Sequence, residues 1–163
     1  MPRGVVGRVV GLDLGARRIG VAVSDSARSL ATARTVFERS GTLARDFAQI
    51  ALIVEECDAN LVVVGLPLSL NGEVGPAARA TLDEIANLRR SLKVPVEAFD
   101  ERLSTVEALS RREARKAPSS RGASRSRGPD RKARASIAKK MGAVDDEAAA
   151  VILQSFLDRV RQP

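Results

Sequence analysis

The sequence predicts an α/β fold: a mixed β-sheet with α-helices on its faces. Three observations carry that reading. Two Val-rich stretches near the start flank a Gly-bracketed turn, as in a hairpin. After residue 42 the apolar spacing changes from two to three or four, and helix-like and strand-like segments then alternate. In the middle, Leu61–Leu66 is apolar throughout, as a parallel strand covered on both faces requires.

Val5–Asp13 reads as the first strand and residues 15–18 as its turn. Ile19–Asp25 alternates Ile19, Val21 and Val23, the pattern of a returning strand, and Ala33–Arg39 suits a third. Over Thr42–Cys57 the spacing of Leu43, Phe47, Ile50, Val54 and Cys57 predicts an amphipathic helix with those residues inward. Leu61–Leu66 follows as a strand, and residues 67–75 as a loop with turn chemistry. Pro76 in a first turn opens a helix that runs to about Ser91. Val94–Phe99 is a further strand, and Ser104-Thr-Val-Glu107 has the capping-box pattern of another helix start. Pro118–Asp130 has no apolar period. Val144–Val160 closes the series as a helix with Ala149, Ile152, Leu153, Phe156 and Val160 inward.

A chain of 163 residues that is 44% hydrophobic can bury a core in one domain over residues 1–163, with a mobile basic segment at about 117–140. No apolar run reaches the length of a membrane span, so no membrane partner is expected. The single cysteine, Cys57, excludes an internal disulfide and, with no signal-peptide pattern at the start, points to a cytoplasmic location. Charge is unevenly distributed. Residues 111–140 hold twelve Lys or Arg against two acids, a local +10, whereas the whole chain carries +7. A basic block on a mildly acidic body suits a polyanion, although a solvated linker would have the same composition.

There is no His, which excludes a Ser-His-Asp triad, a His general base and His-rich zinc sites. Trp and Tyr are absent and only four Phe occur, which argues against an aromatic stacking platform. Nucleic acid, if bound, must be held through phosphates and shape.

Three acidic segments stand out against this basic background: Asp13 in Gly-Leu-Asp-Leu-Gly, Asp100-Glu101, and Asp145-Asp146-Glu147. If the strands at 5–13, 61–66 and 94–99 run parallel, joined by right-handed helical crossovers, their carboxyl ends share one sheet edge. Ligand sites in open α/β sheets lie outside that edge. Asp13 and Glu101 then converge, and Asp145, one turn before Ala149, lies in line with the inner face of the last helix. Taken singly, each acid also suits a structural role. Asp13 can be a turn residue, Glu101 a partner of Arg102, and Asp145 or Asp146 an N-terminal helix residue. Together they offer hard oxygen ligands to Mg²⁺ or Mn²⁺, as a two-ion site holding a phosphodiester. Arg17, Arg18 and Arg102 lie near enough to these acids in sequence to contact phosphate, although Arg17 and Arg18 also suit solvated turn positions. Arg111, Arg112, Arg115 and Lys116 begin the basic block that would track a backbone. Asn71 and Gly72 belong to the 67–75 loop, where glycine permits close approach of a sugar-phosphate chain.

Four segments in this order resemble the YqgF/RuvX family of RNase H-like proteins: residues 11–25, 63–72, 94–105 and 144–154. The resemblance covers roughly residues 7–117 and 140–158. It implies a five-stranded RNase H-like mixed sheet flanked by α-helices. It also implies a metal-dependent nuclease, acting on RNA in 5′-end maturation of precursor 16S rRNA or on branched DNA as a Holliday junction resolvase. By position, the acidic site would be Asp13, Glu101 and Asp145, with Asp146 the alternative third ligand. A homodimer is expected by family analogy. Two other classes stay open at this point. A non-catalytic nucleic-acid-binding module of the same fold would not need three converging acids. An actin-like ATPase, suggested by Asp13-Leu-Gly-Ala-Arg17, needs two lobes and many more residues.

Overall fold

In the computed structural model the described residues are 7–103 and 147–161. Among the described residues seven elements precede the last helix: β1 (Arg8–Leu14), β2 (Arg18–Ser24), β3 (Ala31–Glu38), α1 (Leu43–Glu56), β4 (Ala59–Leu66), α2 (Pro76–Ser91) and β5 (Val96–Asp100). A helical turn follows at 101–103, and the last helix occupies 147–161. The predicted helix start at Ser104 and the basic segment at 117–140 lie outside the described residues.

The strands form one five-stranded sheet in the order β3-β2-β1-β4-β5. β1 pairs antiparallel with β2, and β2 with β3, as the alternating hairpin pattern requires. β1–β4 and β4–β5 are parallel. The sheet is therefore mixed, and the three strands whose ends were expected to converge do run the same way. It is the five-stranded, helix-flanked mixed sheet that the resemblance implies.

Helices cover both faces. One core joins Val10, Leu12, Val62 and Val64 to Phe47 and Ile50 of α1 and Ile85 and Leu88 of α2. The other joins Val9, Val63 and Phe99 to Ala149, Ile152, Leu153 and Leu157 of the last helix. This explains the unbroken apolar run in β4: Val62, Val63 and Val64 point alternately to the two cores and all are fully buried. Cys57 is a buried free thiol capping the end of α1.

Two expected inward positions are corrected. Leu43 and Val160 are exposed, and Ile53 and Leu157 are buried in addition to the residues the spacing picked out. Each misplaced residue sits at or near a helix end, where the chain has run past the sheet and periodicity no longer reports contact. Among the described residues no helix is long and apolar enough to cross a membrane.

Candidate active site

The parallel register sets the ends of β1, β4 and β5 side by side. Leu12 pairs with Val64, and Leu66 with Asp100. Val9 belongs to the core under the last helix, and Gly11, two residues on, meets that helix directly. By strand alternation Asp13 is presented on the same face.

Two glycines make this face work. A Cβ on Gly11 would stand 2.7 Å from Leu153 Cβ and 3.2 Å from the Ala149 carbonyl oxygen. A Cβ on Gly65 would stand 2.7 Å from Ile152 Cδ1 and 2.6 Å from Glu101 Oε1. The missing side chains let the helix settle onto β1 and β4, and the Glu101 carboxylate occupies the space over Gly65. Gln154 fixes the helix laterally. Its Oε1 accepts the Ala31 N–H (2.9 Å) and its Nε2 donates to the Ser29 carbonyl (3.1 Å).

Glu101 is half-buried beside Asp13. Its carboxyl pKa is raised above the ordinary glutamate value by burial first, then by the negative charges of Asp13 and Asp100. Asp13 and Glu101 are thus brought together as expected. Asp100, which sequence reasoning left without a role, takes Arg102 for itself. The Arg102 Nη2 to Asp100 Oδ2 distance is 2.6 Å, and Nε and the backbone N–H each donate to Asp100 Oδ1 at 3.0 Å. That contact holds the Asp100 carboxyl below its ordinary range. The Asp-x-Arg spacing was the available signal.

Arg102 also reaches the 67–75 loop, where Nη1 donates to the Leu70 carbonyl at 3.3 Å. Gly72 lies under the guanidinium with φ +85°, so glycine serves both the turn and the close approach. Asn71 Oδ1 accepts the Ser69 hydroxyl (2.5 Å) and the Glu73 N–H (3.1 Å), which builds the turn from within. The exposed Arg17 and Arg18 border an open depression of about 370 Å³ that Asp13, Gly20 and Val36 also line. Carboxylate and guanidinium groups therefore face one space.

Among the described residues no set of three candidate metal ligands is assembled. Asp145, Asp146, Arg111, Arg112, Arg115 and Lys116 lie outside the described residues. Ala149, four residues after Asp145, is fully buried.

The family model described as "RuvX: Holliday junction resolvase" matches residues 7–159. A protein of Anaeromyxobacter dehalogenans (strain 2CP-C), named "Putative pre-16S rRNA nuclease", is 43% identical over 152 residues, which is 93% of this chain and 97% of that one. A relative with the same name from Thermoanaerobacter pseudethanolicus is 34% identical over 151 residues, covering 93% and 96%. Among solved structures, Thermus thermophilus RuvC in complex with a Holliday junction substrate aligns over 96% of this chain and 97% of its own, with TM-score 0.53 and 15% identity. At that identity the likeness is one of fold.

Proposed function

The chain belongs to the RuvX family, and from that premise we propose that it is a metal-dependent nuclease hydrolysing phosphodiester bonds in the 5′-end maturation of precursor 16S rRNA. The observation that carries the reading is the placing of the Glu101 carboxylate, half-buried, beside Asp13 at the carboxyl edge of the sheet. Two like charges held together in a partly dry site repel, and a cation relieves that repulsion. Carboxylate oxygens are donors for hard cations. The residues present thus fit Mg²⁺ or Mn²⁺, held by Asp13 and Glu101 with Asp145, or alternatively Asp146, as third ligand. Such ions, two in this reading, supply Lewis acidity at the scissile phosphate and lower the pKa of a bound water, work that a chain without His cannot assign to an imidazole.

The chain's own residues do the rest. Arg17 and Arg18 receive phosphate oxygens at the depression that Asp13 lines. Arg102 holds the 67–75 loop against β5, so Asn71 and Gly72 act through the shape of the turn presented to the sugar-phosphate chain. Arg111, Arg112, Arg115 and Lys116 extend the phosphate track. Its workplace is the cytoplasm. The folding unit is one domain over the whole chain, with the basic block at about 117–140 as a mobile phosphate-binding segment.

The description of the matching family favours a second substrate, the four-way DNA junction, whose symmetric cleavage needs a homodimer. Cleavage of precursor rRNA and of a junction by one preparation, with its mass measured in solution, separates the two. For the mechanism itself the variant is Asp13→Asn. It should bind nucleic acid as before and lose metal-dependent cleavage; undiminished cleavage would refute the mechanism.

A further inference from the structure

We infer that Arg39 is a positioning residue for phosphate binding, holding the β1–β2 turn from behind so that Arg17 and Arg18 keep their place beside Asp13. The inference rests on the nuclease reading above. Arg39 directly follows β3, and its backbone N–H donates to the Arg17 carbonyl at 2.9 Å, which extends the β2–β3 ladder into the turn. Its side chain passes behind the same turn. Nε donates to the Gly15 carbonyl at 2.7 Å. One residue thus grips the backbone at positions 15 and 17, on either side of Ala16.

The grip is anchored on both helices of that face. Nη1 and Nη2 donate to the Glu84 carboxylate of α2 at 2.7 and 3.1 Å, a bidentate pair. Nη1 also lies 3.9 Å from Asp46 Oδ2 of α1, and the other Asp46 oxygen accepts the Ser40 N–H at 2.9 Å. The Arg39 side chain is only 17% exposed, and those of Glu84 and Asp46 14% and 4%. A bidentate, largely buried guanidinium has few alternative rotamers, so its Nε is a fixed point. The turn passes that restraint on because it is closed. A Cβ on Gly15 would stand 2.6 Å from the Arg18 carbonyl oxygen, so the chain doubles back tightly there. Displacing Gly15 displaces Arg18. A bridge between the helices would need only Glu84 and Asp46; the Nε contact to the Gly15 carbonyl is what ties the Arg39 side chain to the turn that carries Arg17 and Arg18.

The test measures binding rather than turnover, in an Asp13→Asn background, with a fluorescent single-stranded RNA as probe. Arg39→Ala should weaken binding about tenfold, the scale of a lost charge-assisted contact. Glu84→Gln, which loosens the guanidinium without touching the turn, should weaken it by a smaller factor. In a protein already carrying Arg17→Ala and Arg18→Ala, neither change should weaken binding further, a non-additivity that general loss of structure would not produce. Equal fold losses with and without Arg17 and Arg18 would overturn the inference, as would unchanged affinity. Should Arg39→Ala fail to fold, the same cycle with Glu84→Gln decides. If the Asp13→Asn protein with Arg39 intact does not bind the RNA, the nuclease reading itself has failed; if it binds and the cycle is additive, only the role of Arg39 has.

Discussion

Replacing Gly65 by alanine puts a methyl group 2.6 Å from Glu101 Oε1, 2.7 Å from Ile152 Cδ1 and 3.0 Å from Glu101 Cγ. Gly65 is not among the positive-φ residues, so alanine suits its backbone and the cost is one of contact. Overpacking of this kind costs about 1–3 kcal/mol, offset by roughly 0.5–1 kcal/mol because alanine restricts the unfolded chain. The net is about 0–2.5 kcal/mol, or a Tm fall of up to roughly 10 °C in a protein this size. Ile152→Val removes the Cδ1 atom and alone costs about 0.5–1.5 kcal/mol. In the Gly65→Ala background it should cost less than that, because it relieves one of the two collisions. Glu101 is not relieved. Its carboxylate must move by a substantial part of an ångström, and on the nuclease reading proposed above misplacement on that scale should lower catalysis by about 10²-fold. The double variant should therefore recover stability but not cleavage. The assay is thermal unfolding beside cleavage rates measured well below the lowest Tm. Full activity in Gly65→Ala, or a rate that returns together with stability, would refute the placing of Glu101 over Gly65.

Glu101→Gln tests the charge itself. An ordinary glutamate ionises near 4.5 and Glu101 is held above that, so the folded state retains this proton more tightly than the unfolded chain. Wild-type stability therefore falls as pH rises from the unfolded toward the folded value. Metal-free Glu101→Gln should gain on wild type across that window and keep the advantage at neutral pH, the two converging in more acidic solution. Thermal scans across pH check this, and a wild type more stable than the variant at neutral pH without metal would reject it. Added Mg²⁺ should raise the Tm of wild type more than that of the variant, by mass action on the folded state. Removing Arg17 and Arg18 together should lower the slope of log affinity against log salt by about 1.5–2, near one per phosphate contact. Fluorescence titrations at several salt concentrations measure it, and an unchanged slope would place both side chains away from phosphate.

The sheet was legible because its signals are local and redundant. Val62, Val63 and Val64 had to be covered on both faces, and only a strand between helical layers achieves that. Once β1, β4 and β5 were read as parallel, the meeting of Asp13 with Glu101 followed from chain direction alone. Side-chain pairing was less accessible. Arg102 follows Glu101 directly and Asp100 at one remove, and its choice of the more distant Asp100 depends on how the chain leaves β5 into the helical turn. Asp46 lies in the first turn of α1. It is almost fully buried because Ser40 and Arg39 come to it from the β3–α1 connection. Asn71 carries the mark of a loop residue, and only the fold shows its side chain turned inward on its own turn.

The glycines separate what composition can announce from what it cannot. Gly72 announces itself, since Asn-Gly in a polar loop signals a turn and its φ is positive. Gly11 and Gly65 give no such notice, because a glycine inside an apolar strand normally weakens it. Their purpose lies about 36 to 142 residues further along the chain, in Glu101, Ile152 and Leu153. A larger residue at 65 would make a better strand in isolation, but in this fold it would collide with Ile152 and push the Glu101 carboxylate out toward water. There its repulsion from Asp13 would be screened and its affinity for a cation would fall with it. The strand thus gives up local stability where two like charges must stay close. That conflict between a good strand and a poor electrostatic arrangement is the physical sign of a site within an otherwise self-consistent fold.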